Sequence, residues 1–161
     1  SPSIIKEIGI QNTLHIGLIS AIPFLAGTLA MVWNGIHSDR TGERRMHCAI
    51  ATLIAAAGLV LTGLALHNAV LALMALTLAS VGILAAFPVF WSIPAAFLAG
   101  TAAAGGIALI NSIGNLAGFV APYMIGALKD GTGSLSAGLY FVAALEFIAA
   151  FLVVVFVKKH N

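Results

Sequence analysis

Gly35-Ile36-His37-Ser38-Asp39-Arg40-Thr41-Gly42-Glu43-Arg44-Arg45 is the stretch on which the reading of this chain turns. Of the chain's seven basic and five acidic residues, five fall within it: Asp39, Arg40, Glu43, Arg44 and Arg45. Long apolar runs flank it on both sides. Two such runs joined by a short, charged, glycine-containing turn are two membrane helices meeting at one water face. Gly35 lets the backbone pack closely, and Gly42 permits a turn with positive φ. Basic residues at the ends of a span would be enough to set topology. Asp39 and two glycines go beyond that need, so we expect Gly35, Asp39, Arg40, Gly42, Arg44 and Arg45 to form a conformational latch as well.

The composition agrees with lipid as the solvent. Of 161 residues, 61% are hydrophobic and 7% charged, with a mean hydropathy of +1.10. Soluble domains carry about 25% charged residues, and so few charges cannot cover the surface of a compact body of this size. The net charge of +2 reflects basic residues at the ends of apolar runs. That is a membrane pattern, not the footprint of a nucleic-acid binder. A single cysteine, Cys48, rules out an intramolecular disulfide and argues against a cysteine metal cluster. His15, His37, His47, His67 and His160 all fall at the ends of runs, where hydration argues against metal or proton-relay roles. No clustered His, Asp, Cys or Ser constellation points to an enzyme, and no metal or cofactor is expected. The chain opens Ser1-Pro2 without an initiator Met, so a segment of a longer protein is the simplest expectation.

Outward from the loop, the apolar runs resolve into five spans, at about 15–36, 46–66, 69–92, 101–128 and 135–157. Each meets the roughly 20 residues that the hydrocarbon core requires. Residues 1–14 are mixed and polar, with Gln11-Asn12-Thr13 able to cap a helix, and read as the end of an earlier helix and a loop. Pro23 lies inside the first span. Pro88 and Pro94 punctuate the third, with Ala95 to Gly100 expected as a short connection. Lys129-Asp130-Gly131-Thr132-Gly133-Ser134 is a turn, and residues 158–161 form a tail. Five spans place Lys158 and Lys159 on the same side as the loop arginines. Five of the seven basic residues then share one face, which the positive-inside rule makes cytoplasmic. An all-α integral membrane bundle follows.

The pattern G-x-x-x-D-R-x-G-x-R-R resembles the cytoplasmic signature loop of the major facilitator superfamily. Further stretches resemble its anion:cation symporter family, the permeases for hexonates, tartrate and phthalate. They are Ile19-Ser-Ala-Ile-Pro23, Phe97-Leu-Ala-Gly-Thr-Ala-Ala-Ala104, Ala108-Leu-Ile-Asn-Ser-Ile-Gly-Asn-Leu-Ala-Gly-Phe119 and Leu128-Lys-Asp-Gly-Thr-Gly-Ser134. The resemblance implies helices eight to twelve of a twelve-helix carrier in a bacterial inner membrane, with an N-terminal six-helix half as partner. It implies symport of a small organic anion by alternating access, with a proton as coupling ion and the coupling carboxylates in the other half. The alternatives are a self-associating half-transporter, which small-residue faces in spans one and four would permit, and a membrane protein of unrelated, non-transport role.

Several residues are candidates to meet substrate. Asn111 and Asn115 are four apart and share a helix face. An unsatisfied amide in hydrocarbon costs several kcal/mol, so both need a neighbouring helix or a wet cavity. Either could be a ligand or interhelical glue, with Gly114-xxx-Gly118 as small-residue packing; Asn111 is read as ligand ahead of glue, and Asn115 as glue ahead of ligand. Trp91 and Ser92 lie between two prolines, either bordering a cavity or anchoring the span at the interface. Ser20, Pro23, Gly27 and Asn34 form a stripe along the first span, with Ser20 at the cavity border and Asn34 structural. Glu146, in mid-span, is expected to play a protonated or hydrogen-bonded structural role.

Overall fold

The computed structural model describes residues 13–98 and 100–157, and for a few helical residues, Ser20 among them, the backbone alone. The capping role expected of Gln11-Asn12-Thr13 and the tail at 158–161 therefore lie outside the described residues. Five helices follow in order: α1 (Thr13–Thr41), α2 (Arg45–Leu64), α3 (Ala69–Phe97), α4 (Gly100–Thr132) and α5 (Leu135–Phe156). Among the described residues, four of them, α2 to α5, are long and apolar enough to cross a membrane. The described part of α1 takes in its polar end, Asn34 to Thr41, which lowers its mean hydropathy.

Local chemistry explains most boundaries. Asn68 caps α3, its side chain accepting from the Val70 and Leu71 amides at 3.1 Å each. Ser134 does the same for α5 through the Ser136 amide at 3.2 Å. Such caps satisfy amide groups that the first helical turn leaves without partners. Gly42 and Gly133 end α1 and α4 with φ of +66° and +70°, a backbone shape that favours glycine. The third helix departs from the expectation. It continues through Pro88 and Pro94 to Phe97, so the connection before α4 is shorter than the sequence suggested. A proline removes one helical hydrogen bond, yet in lipid there is no water to satisfy a broken helix, and continuing it costs less.

Packing is built from small side chains. α3 lies at the centre, flanked by α1 and α2; α5 packs on the other side of α2, and α4 leans mainly on α5. The α2–α3 seam brings backbone against backbone. A Cβ on Gly82 would collide with the Ala55 backbone and stand 2.6 Å from the Ala51 carbonyl oxygen. One on Gly58 would stand 2.6 Å from the Ala79 Cα. The buried residues along this seam are mostly alanines, Ala51, Ala55, Ala56, Ala72 and Ala79 among them. Close approach of small residues is how membrane helices associate when burial of apolar surface offers no net driving force. Leu59, Ala79, Leu135, Leu139 and Ala143 join α2, α3 and α5 in one cluster, and the Ser136 hydroxyl donates to the Gly63 carbonyl at 2.9 Å.

Candidate functional site

The charged loop sits at the end of the bundle where α1 meets α2, and its side chains are divided among distinct tasks. Glu43 caps α2 from one residue before the usual position: both carboxylate oxygens accept from the Met46 amide, at 3.0 and 2.8 Å. Its second contact is the His47 ring, 3.3 Å away. Burial works to raise the Glu43 pKa, but the Met46 and His47 hydrogen bonds outweigh it and hold the carboxyl below its ordinary value. Ser38 is buried, and its hydroxyl donates to the Glu43 carbonyl at 3.3 Å.

Arg44 is the long-range tie. Its Nη1 donates to the Ser92 carbonyl on α3 at 2.8 Å, and its Nη2 stands 4.0 Å from Asp39 Oδ1. The Asp39 side chain is 72% exposed, so that ion pair is a weak one. Arg40 is exposed and pairs with no described carboxylate, while Arg45 Nε is buried without a described hydrogen-bond partner. Gly35 packs against the Pro88 ring, 3.5 Å from where its Cβ would lie.

Three aromatic rings line up beside the loop. Trp33 and His37 stack with centroids 5.4 Å apart and planes 3° from parallel. His37 then meets His47 at 5.0 Å across the loop. The sequence discounted both histidines as helix-end residues; residues ten apart carry no periodic signal that would have joined them. Ser38 and Glu43 were missed although their contacts are local, three to five residues apart; the Glu43 cap on the Met46 amide is a signal the sequence could have supplied.

The substrate candidates separate into two groups. Ser92 is engaged with the loop: its hydroxyl donates to the Val89 carbonyl at 2.7 Å, and its carbonyl accepts from Arg44. Trp91 lies edge-on to Phe87 and Phe90, with centroids at 6.3 and 5.5 Å, and is half-buried. The first-span stripe turns inward toward α3. Pro23 and Gly27 are buried, and the Asn34 amide donates to the Ala85 carbonyl at 2.8 Å. The Ser20 side chain lies outside the described residues. Glu146 is half-buried midway along α5.

Asn111 and Asn115, by contrast, are exposed on α4. Nothing lies within 4 Å of where a Cβ would sit on Gly114 or Gly118. Gly114-xxx-Gly118 is thus not a packing seam among the described residues, and Asn115 does not serve as glue there. The span of α4 from Ala103 on has no buried residue in its most apolar stretch. The whole polar face stands uncovered.

Comparison with known proteins matches the sequence of this chain to part of several transporters. The chain is 49% identical over 159 residues to an Agrobacterium vitis protein named as a tartrate transporter, covering 99% of this chain and 35% of the relative. A second A. vitis protein of the same name is 50% identical over 156 residues, covering 96% and 35%. The metabolite transport protein NicT of Pseudomonas putida is 40% identical over 158 residues, covering 98% and 36%. No family model matches the chain, and no solved structure matches it. Together with the signature loop, these relatives decide the assignment. The chain belongs to the major facilitator superfamily. It spans about a third of the length of the relatives it matches, and the matched third is their C-terminal part. By name these relatives are transporters and not enzymes. As a major facilitator segment with apolar helices of spanning length, it is part of an integral membrane protein.

Proposed function

We propose that this chain is part of the C-terminal half of a secondary carrier that moves a small organic anion, a sugar acid or an aromatic or dicarboxylic acid, by proton symport. The carrier works by alternating access in a bacterial inner membrane, with the signature loop and the C-terminus cytoplasmic. The observation that carries the proposal is the uncovered polar face of α4. Two amides four residues apart on a membrane helix, with no described neighbour, require either a partner helix or a wet cavity. The remaining two-thirds of a carrier can enclose that face and make it one wall of a central cavity. An amide donates to a carboxylate or hydroxyl, which suits an organic anion; the names of the Agrobacterium relatives agree with an acid of this kind. Asn111 and Asn115 are the contacts from this half, with Trp91 bordering the cavity. Ser92 belongs with the latch. The principal basic anchor of the anion and the coupling carboxylates lie in the rest of the protein.

The test is Asn111→Ala in the full-length carrier, with anion affinity and thermal unfolding measured side by side. Loss of one hydrogen bond to a charged group costs about 1.5–3 kcal/mol, or one to two decades in affinity. A ligand role predicts that weakening with a nearly unchanged melting temperature. Unaltered affinity with a clear loss of stability would remove Asn111 from the site.

A further inference from the structure

A groove of about 380 Å³ runs between α1 and α2, floored by α3, and starts at the loop end of the bundle. Its walls are almost wholly apolar: Ile50 and Ile54 on α2, Ala30 on α1, with Val81 and Ala85 on α3 beneath. Trp33, His37 and His47 line it nearest the loop. The groove is open along its outer edge, where Trp33 is 67% and Ile50 51% exposed. It lies one to three helical turns from the charged loop, so in a bilayer its mouth stands at headgroup level and its length within the acyl region.

The charges at that mouth are unequal. Asp39 faces Arg44 and Glu43 faces His47, which leaves Arg40 and Arg45 without a carboxylate among the described residues; of the two, Arg40 is exposed and Arg45 half-buried. Trp33, His37 and Arg40 follow at intervals of four and three and share one face of α1. A cation and an imidazole therefore stand directly above an apolar slot. A void of this size in contact with hydrocarbon cannot stay empty without losing the contacts of its whole lining. Basic pockets between membrane helices hold anionic lipid headgroups. Neither this groove nor the second, about 560 Å³ at the opposite end of α2 and α3, has Lys or Arg in its lining; the segment 57–82 around the second holds no Lys or Arg at all, so it offers no counterpart to Arg40.

We infer that the loop-end groove is a site for one anionic phospholipid, an acyl chain lying between α1 and α2 and the phosphate held by Arg40 beside His37. Arginine suits this role because its planar fork can bind two phosphate oxygens at once. Through the stacked Trp33–His37 pair and the His37–His47 contact, the lipid would touch the same loop that Arg44 ties to α3.

The experiment uses the full-length carrier in vesicles of phosphatidylcholine, doped with either phosphatidylglycerol or phosphatidylcholine bearing a diazirine on the acyl chain. After photolysis, adducts are mapped by peptide mass spectrometry. Adducts should concentrate on 30–37, 46–54 and 81–85, with roughly fivefold more from phosphatidylglycerol, the preference that one basic residue near an anionic lipid confers. Arg40→Gln should bring the two headgroups to parity while leaving adducts in these segments. Ala30→Phe, which fills the slot from a half-buried position, should remove them. Adducts spread evenly over all membrane-facing segments regardless of headgroup would overturn the inference. So would adducts absent from these three segments, the outcome if another part of the carrier or a second copy covers the groove.

Discussion

Arg44→Gln is the substitution that most directly probes the loop as a latch. Two contacts disappear with the guanidinium: the 2.8 Å bond to the Ser92 carbonyl and the 4.0 Å approach to Asp39. A hydrogen bond from a charged donor is worth about 1.5–3 kcal/mol. The Arg44 side chain is 37% exposed, so water replaces part of that and the low end applies. The ion pair, with Asp39 72% exposed, adds about 0–1 kcal/mol. The tie is thus worth about 1.5–2.5 kcal/mol, roughly a 10- to 70-fold shift in the balance between a conformer that has it and one that does not. The readout is the alkylation rate of a cysteine placed at Ala108, one turn from Asn111, in a full-length carrier without other cysteines and with reagent added on the loop side. Arg44→Gln should raise that rate by up to the stated factor, because it frees the Pro88–Phe97 end of α3. Asp39→Asn should change it only about fivefold at most, the equivalent of 1 kcal/mol. An Asp39→Asn effect equal to or larger than that of Arg44→Gln would refute this ordering of the contacts. No change in either variant would reduce the loop to a topology signal.

Three further outcomes are expected. Gly82→Ala should lower the stability of the full-length carrier by about 3 kcal/mol, the upper end for overpacking, because backbone atoms of Ala55 and Ala51 have no room to move aside; an unchanged melting curve would mean the α2–α3 seam is looser than described. The depressed Glu43 pKa means its carboxylate stabilises the loop at pH above the ordinary carboxyl value of 4.5, and that stabilisation is lost as pH falls through the lower folded value. Amide exchange at Met46, corrected for its intrinsic acid dependence, should therefore lose protection below pH 4.5 in the wild-type protein, and Glu43→Gln should abolish that loss. Finally, cysteines placed singly at Thr41 and Thr132 should be labelled from opposite sides of the membrane, Thr41 from the cytoplasm; labelling of both from one side would sink the span arrangement.

Much of this architecture was legible from residue order alone. Runs of 20 or more apolar residues must be helices in lipid, since only a helix or a closed barrel satisfies its backbone there. The positive φ of Gly42 and the shared face of Asn111 and Asn115 are local properties, set by residues within one or two turns. The loop signature marked the superfamily because its charges, glycines and spacing occur in eleven consecutive residues.

What tertiary structure decided is which face meets which neighbour. Helical periodicity places Asn34 and Asn111 equally well on polar stripes. Only the packing of α1 on α3 commits the Asn34 amide to the Ala85 carbonyl, while α4, leaning on α5, leaves Asn111 bare. Arg44 reaches the Ser92 carbonyl from 48 positions away, a tie that no local pattern in the sequence announces. The His37–His47 contact and the groove beneath it arise from the angle between α1 and α2, which the loop permits without specifying. Sequence determined the helices and their polar stripes, because those are governed by short-range sterics and by the cost of bare backbone in lipid; α1, α3 and α4 run past the ends expected for them. The assignment of each stripe to a neighbouring helix, a groove or a bare face came from tertiary structure, because it depends on how small residues far apart in the chain let helices approach.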